Sequence, residues 1–278
     1  MMLRPRDSND QRLLEATLDI QPRPQSLRWI HDVFDNCVAI ATFAGDTRSL
    51  RVESNIALEH TPFEGPEVLL EDRARCYPFS YDAEEIPDLA RSIERRYADP
   101  AGELDHWVQR FLQPGRPTET GTLLMTLTYA IKEGLSYKRR AAQGTQSPLQ
   151  TLAARSGTCR DFATLMMEAA RTLGLAARFV SGYLYVPDRD MGGSRLGGGS
   201  THAWCQIYLP GAGWVEFDPT NGIVGNRDLI RVAVAREARQ AIPLHGSYFG
   251  DAAAEAEMAV SVNVRRRHER EPNEPSRR

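Results

Sequence analysis

Long apolar runs are missing from this chain, and no stretch approaches the roughly 18 residues that a membrane-spanning helix needs. The start, Met1, Met2, Leu3, Arg4, Pro5, Arg6 and Asp7, has no apolar segment of the kind an export signal carries. A cytoplasmic location with no membrane partner is therefore expected. Charge of one sign is lacking too: Lys and Arg total 34 against 37 Asp and Glu, a formal net charge of -3. Such a balance supplies no basic field, and no nucleic-acid partner is expected. Cysteine is sparse. Cys37, Cys76, Cys159 and Cys205 are widely spaced and form no C-x-x-C pair, which argues against a disulfide framework or a zinc site. No calcium-loop pattern occurs either, so neither metal nor cofactor is expected.

What is present is a globular composition, 41% apolar and 26% charged over 278 residues, long enough for two domains that each bury a core. From Arg12 to about Leu70 the runs "LLEATLDI", "NCVAIATF", "SLRVESNIALEH" and "EVLL", broken by "QPRPQS", "AGDT" and "TPFEGP", give strand and turn signals. They predict an antiparallel β-sandwich-like module over residues 1–86, with "CYPFSYDAEEIP" as an irregular linker. "PDLARSIERRY", "ELDHWVQRFLQ" and "GTLLMTLTYAIKEGLSY" read as helices. A second, α+β domain is expected over 87–264, ending in the β-like stretches "ARFVSGYLYV", "THAWCQIYL", "WVEFDPT" and "EMAVSVNVRR". Residues 265–278, "RRHEREPNEPSRR" and its preceding arginine, form a polar tail expected to be disordered.

Within the second domain, "SGTCRDFATLMMEAARTLG" places Cys159 where a turn hands over to a helix. Phe162, Leu165, Met166, Ala169 and Leu173 make the apolar stripe of that helix, and Gly174 ends it. A thiol at a helix N-terminus lies beside unpaired amides and the positive end of the helix dipole, which favour a thiolate. It needs a base, and the base an orienting group. Both are available in "STHAWCQIYLPGAGWVEFDPTNG". Along a strand His202, Trp204, Gln206 and Tyr208 share one face, and Trp214, Glu216 and Asp218 share one face of the next strand. If the connection has an odd number of residues and Tyr208 pairs with Trp214, both sets lie on the same side and Asp218 sits diagonal to His202. A four-residue turn without a bulge breaks that parity. The residues then assemble a Cys159, His202, Asp218 triad, with the Cys159 amide as one oxyanion donor and Trp204 or Tyr137 as candidates for a second.

The order "G-T-C-R-D-F-A", "T-H-A-W-C", "W-V-E-F-D-P-T-N" resembles the transglutaminase-like superfamily, and the resemblance implies a papain-like core in which Cys159, His202 and Asp218 match nucleophile, base and orienting acid. "LRPRDSNDQRLLEATLDIQP", "DVFDNCVAIATF" and "LRVESNIALEH" resemble the β-rich N-terminal region of bacterial transglutaminase-like proteins. By the same resemblance an opening strand is missing, and Asp35 stands where the family often has glycine. The implied activity is acyl transfer at an amide carbonyl of a peptide or protein substrate through a Cys159 thioester. Hydrolysis is favoured over transamidation. Two rivals are an NlpC/P60-like cell-wall endopeptidase and a non-catalytic interaction protein.

The remaining candidates read as structural. Cys205 faces away from His202 and belongs to the core, and Cys37 and Cys76 have no nearby base motif. Asp161 suits the first turn of its own helix. Arg160 is an exposed helix position, and the glycine-rich "DMGGSRLGGGS" is a loop, either a lid or a plain excursion.

Overall fold

The computed structural model describes residues 1–62, 69–139, 144–186, 199–250 and 257–267. The fold is α+β, with antiparallel N-terminal strands ahead of helices packed on an antiparallel sheet. β1 (Gln11–Gln21), β2 (Ser26–His31), β3 (Cys37–Thr42) and β4 (Arg51–His60) form two antiparallel ribbons, β1 with β4 and β2 with β3. Two short pairs follow. β5 (Cys76–Tyr77) lies in the stretch expected to be irregular and pairs with β6 (Thr118–Glu119), while β7 (Ser136–Tyr137) runs parallel to β8 (Ser156–Gly157). The expected helices are α1 (Ile86–Ile93), α2 (Glu103–Gln109) and α3 (Thr120–Gly134). α4 (Pro148–Ala154) starts on a Ser147/Gln150 capping box, and α5 (Cys159–Thr172) is the helix of the quoted cysteine segment.

Behind α5 stand β9 (Ala177–Leu184), β10 (His202–Leu209), β11 (Gly213–Asp218), β12 (Ile223–Val224) and β13 (Leu229–Ala235), in the order β12-β11-β10-β9-β13 with every neighbour antiparallel. Strand alternation divides the core. Ala203, Cys205, Ile207 and Leu209 pack with Phe162, Met166 and Ala169 of α5, whereas Trp204 packs with Val180, Leu184, Leu229 and Val234.

"EMAVSVNVRR" is not the last strand. Residues 257–267 carry no strand, and that place in the sheet is taken by "LIRVAVA", residues 229–235. The physical reason is the edge. The outer side of β13 is occupied by two buried amide side chains from the N-terminal region, which leaves no ladder for residues 257–267 to join. Gln11 donates Nε2–H to Arg231 O at 3.0 Å and accepts Arg231 N–H at 2.6 Å; Asn36 donates Nδ2–H to Val234 O at 2.7 Å and accepts Val234 N–H at 2.8 Å. Each amide presents the donor and acceptor of a peptide group, and the bulge between Arg231 and Ala233 sets their spacing. At the chain's start, Met1 and Ala39 exchange two backbone hydrogen bonds along β3.

Candidate active site

The approach to Cys159 is fixed by β8 pairing with β7, which sets Gly157 opposite Tyr137. Any side chain at Gly157 would strike Asp161 Cβ at 2.8 Å and Phe162 at 3.1 Å, so only glycine allows the chain to fold this tightly onto α5. Thr158 caps the helix. Its N–H donates to Asp161 Oδ2 at 2.8 Å, its hydroxyl receives the Asp161 N–H, and Asp161 Oδ1 accepts Gln146 N–H at 2.6 Å. Asp161 is thus a structural residue of the first turn, and Cys159 follows the cap, buried at 8% exposure, where backbone N–H groups have no intrahelical acceptor.

β10 and β11 bring up the other two residues. Tyr208 pairs with Trp214 across a connection of odd length, residues 209–213, so the parity condition holds. Asp218 Oδ2 lies 2.8 Å from His202 Nε2, and both side chains are fully buried. The carboxylate does two jobs. While Oδ2 faces the imidazole, Oδ1 accepts Thr220 N–H at 2.9 Å and Asn221 N–H at 3.3 Å, the local turn bonding common for a residue before proline. With Nε2 committed to Asp218, the second ring nitrogen, Nδ1, is buried without a closed hydrogen bond. Cys159 is near enough to the ring to favour its charged form.

Residues 105–219 match the model of the transglutaminase-like superfamily core, and residues 1–59 match the bacterial transglutaminase-like N-terminal region. The chain carries a transglutaminase-like core and a bacterial transglutaminase-like N-terminal region. An uncharacterized Mycobacterium leprae protein is 37% identical over 106 residues, 38% of this chain and 37% of that one. An uncharacterized Mycobacterium tuberculosis protein is 28% identical over 94% of this chain and 84% of its own length. A candidate cysteine protease from Cytophaga hutchinsonii, 18% identical, shares the fold with a TM-score of 0.63 over 86% of this chain and 76% of that one.

Charge in this transglutaminase-like site is arranged for a proton to rest on His202. Burial opposes the charged ring, but the Asp218 carboxylate and then Cys159 carry its pKa up to about 10. Burial also works against the charged form of Asp218. His202, Asn221 and the Thr220 amide outweigh it and hold the carboxyl below its ordinary range. Both shifts favour the charged forms, imidazolium and carboxylate, each stabilised by the other.

Trp204 stacks on the His202 ring at 5.9 Å between centroids and 29° between planes, with no surface of its own exposed and Nε1 without a partner. Its ring has space because Gly182 pairs with His202. A Cβ there would meet Ile230 O at 2.1 Å and Trp204 Cη2 at 2.6 Å. Tyr137 is close enough to Cys159 to feel its charge, and burial together with that charge raises the phenol's pKa. Cys205 lies in the core, where burial pushes its thiol up and its S–H points to Phe217 O. Cys37 is half-buried and Cys76 exposed. Arg160 is half-buried. Asp35 adopts φ 63°, the left-handed conformation that glycine favours. Most of "DMGGSRLGGGS" lies outside the described residues, as does the tail from 268. Among the described residues no group of three His, Cys, Asp or Glu side chains could hold a metal, and no helix is long and apolar enough to cross a membrane.

Asn221 carried no assigned role in the sequence. Its Nδ2 donates to Asp218 Oδ2 at 2.8 Å and lies 3.4 Å from His202 Nε2. The signal was an Asn three residues beyond Asp218 in a proline turn, a spacing at which both side chains fold back on one loop.

Proposed function

We propose that this protein cleaves amide bonds of a peptide or protein substrate by thiol-dependent acyl transfer at Cys159. The observation that carries the proposal is a buried His202 held by Asp218 through Nε2, with Nδ1 unbonded and Cys159 near enough to the ring to favour its charged form. An imidazolium and a helix N-terminus both stabilise negative charge on sulfur. The thiolate attacks the substrate carbonyl carbon, forming the C–S bond and placing negative charge on oxygen, where the Cys159 N–H donates. Collapse breaks the C–N bond while His202 gives its proton to the departing amine, which leaves a thioester on Cys159. Neutral His202 then takes a proton from water, the hydroxide adds to the thioester carbonyl, and the C–S bond breaks to release the acid and restore the thiolate–imidazolium pair. Asp218 stays ionised and keeps Nε2–H pointed at itself. Tyr137, whose phenol is influenced by Cys159, is the better candidate for a second oxyanion donor, because Trp204 is enclosed under the imidazole. The chemistry needs no metal, and a cytoplasmic site of action is part of the proposal.

Turnover of a peptide library by the wild-type chain, with a Cys159 thioester trapped by mass spectrometry, is the expected result. Cys159→Ala retaining the wild-type hydrolysis rate would sink the mechanism. Incorporation of a primary amine faster than hydrolysis would replace water by an amine as the acceptor. Iodoacetamide labelling Cys159 no faster than Cys76 at pH 7 would favour a non-catalytic interaction protein.

A further inference from the structure

The sheet face that carries Trp204 and Tyr208 opens into a groove of about 790 Å³, walled by Phe34, by Leu89 and Ser92 of α1, and by Val234 of β13. Arg178 on its floor pairs with Gln206, four residues along β10 from His202 and about 13 Å of strand from it, so the clasping residue is set apart from the imidazole. Arg178, on β9, lies over the Trp214 ring at 4.1 Å, and its Nε–H donates to Gln206 Oε1 at 2.7 Å. Gln206 in turn donates to Glu216 Oε1 at 2.6 Å, and that oxygen is paired with Arg231 at 2.5 Å. The nearest carboxylate is thus one residue removed and already committed. Among the described residues Arg178 has no acidic side chain within ion-pair distance.

The other charges at the groove are accounted for. Glu85 accepts the Tyr208 hydroxyl, Asp35 pairs with Arg6 and His31, Arg91 with Glu94, and Arg236 with Glu237; Asp88 is exposed on α1. Arg178 remains as a planar cation, fixed at Nε and on one face, with its two terminal nitrogens left to meet a ligand. Burial lowers its pKa to about 10, so an anion arriving there relieves a real desolvation cost. A guanidinium held this way matches a carboxylate two bonds to two.

We propose that the groove is a docking site for a carboxylate-rich stretch of polypeptide, whose acidic side chain is clasped by Arg178 above Trp214. Such a site holds the acidic chain beside the reacting centre and contributes affinity without taking part in the chemistry.

The test uses the full chain carrying Cys159→Ala, so that it does not depend on the proposed chemistry, and fluorescein-labelled hexaglutamate and hexalysine peptides read by anisotropy at low salt. Saturable binding of hexaglutamate alone is expected, weakened about tenfold by Arg178→Gln and partly restored by Arg178→Lys. Asp88→Lys, at an exposed position, should tighten binding about threefold by removing repulsion and adding attraction; it decides the matter if Arg178→Gln fails to fold. Equal affinity for both peptides, a folded Arg178→Gln chain that binds as before, or an Asp88→Lys chain with unchanged affinity would overturn the proposal.

Discussion

The N-terminal ribbons and α5 use similar side chains in opposite ways. In the four strands of the ribbons the buried apolar residues are Ile20 and Ala39, β2 is exposed along its whole length, and Val33 is 91% exposed. In α5 every residue except Arg160 and Thr172 is buried, charged ones included. Glu168 accepts the backbone N–H groups of Arg96 and Tyr97 and pairs with Arg171 at 2.7 Å, while Arg171 donates to the carbonyls of Ser92, Ala177 and Arg236. One region has almost no core of its own and is attached through polar contacts, Gln11, Asn36 and the Asp10–Arg231 pair. The other is so enclosed that its charges have become connectors for surrounding loops. Hydrophobic burial therefore dominates around the helix that carries Cys159, whereas the module beside it is attached by hydrogen bonds together with the packing of Met2 and Phe34 on the core.

The contrast can be broken from either side. Glu168→Ala should do the most damage, about 3–5 kcal/mol, because it strands Arg171 as an unpaired buried charge along with two backbone donors. Chemical denaturation measures this, and a loss under about 1 kcal/mol would mean that α5 does not rely on its buried charges.

Titration disturbs the other buried pair without mutation. His202 is raised from 6.5 to about 10, so its contribution is whole below pH 6.5, declines as pH rises, and is gone above about 10. Asp218, shifted down, contributes above its ordinary value and loses that contribution as pH falls. The denaturation midpoint should therefore slope downward between pH 6.5 and 10, and His202→Gln should flatten the slope.

A smaller effect is expected at the attachment. Asn36→Ala leaves the N–H and C=O of Val234 without their partner and should cost about 2 kcal/mol, with the loss appearing as earlier proteolysis of the ribbons while the midpoint of the core moves less. The smallest is Val33→Ser, within about 0.5 kcal/mol, since an exposed side chain leaves nothing behind. A larger shift there would reveal a hidden contact on the exposed ribbon. Within the site itself, Asn221→Ala should lower kcat about tenfold and change the pH profile of the reaction while leaving KM nearly constant, the mark of a residue that positions Asp218 rather than binds substrate.

Much of the site could be read from local pattern. A helix-start cysteine, the alternation of His202 with Trp204, and an odd count of residues between Tyr208 and Trp214 together determined that His202 and Asp218 face one another, because strand period and hairpin register are short-range properties of the chain. Local pattern does not separate "LIRVAVA" from "EMAVSVNVRR", since both are apolar and β-branched and only the available edge distinguishes them. That edge was assigned by Gln11 and Asn36, about 200 residues away in sequence. The stripe of α5 likewise showed one buried face and could not show that the opposite face is covered too.

The sequence by itself determined which residues form the helix and the hairpin, and which of them carry the thiol, the imidazole and the carboxylate. Only the tertiary structure decided that Glu168 and Arg171 are buried connectors, that Asn221 braces Asp218, and that Arg178 faces a groove with, among the described residues, no acidic side chain within ion-pair distance of it. The physical reason is the range of the forces that choose. Periodicity and turn chemistry act over a few residues, whereas the burial of a charge or the completion of a sheet edge depends on groups that only folding brings within hydrogen-bond distance.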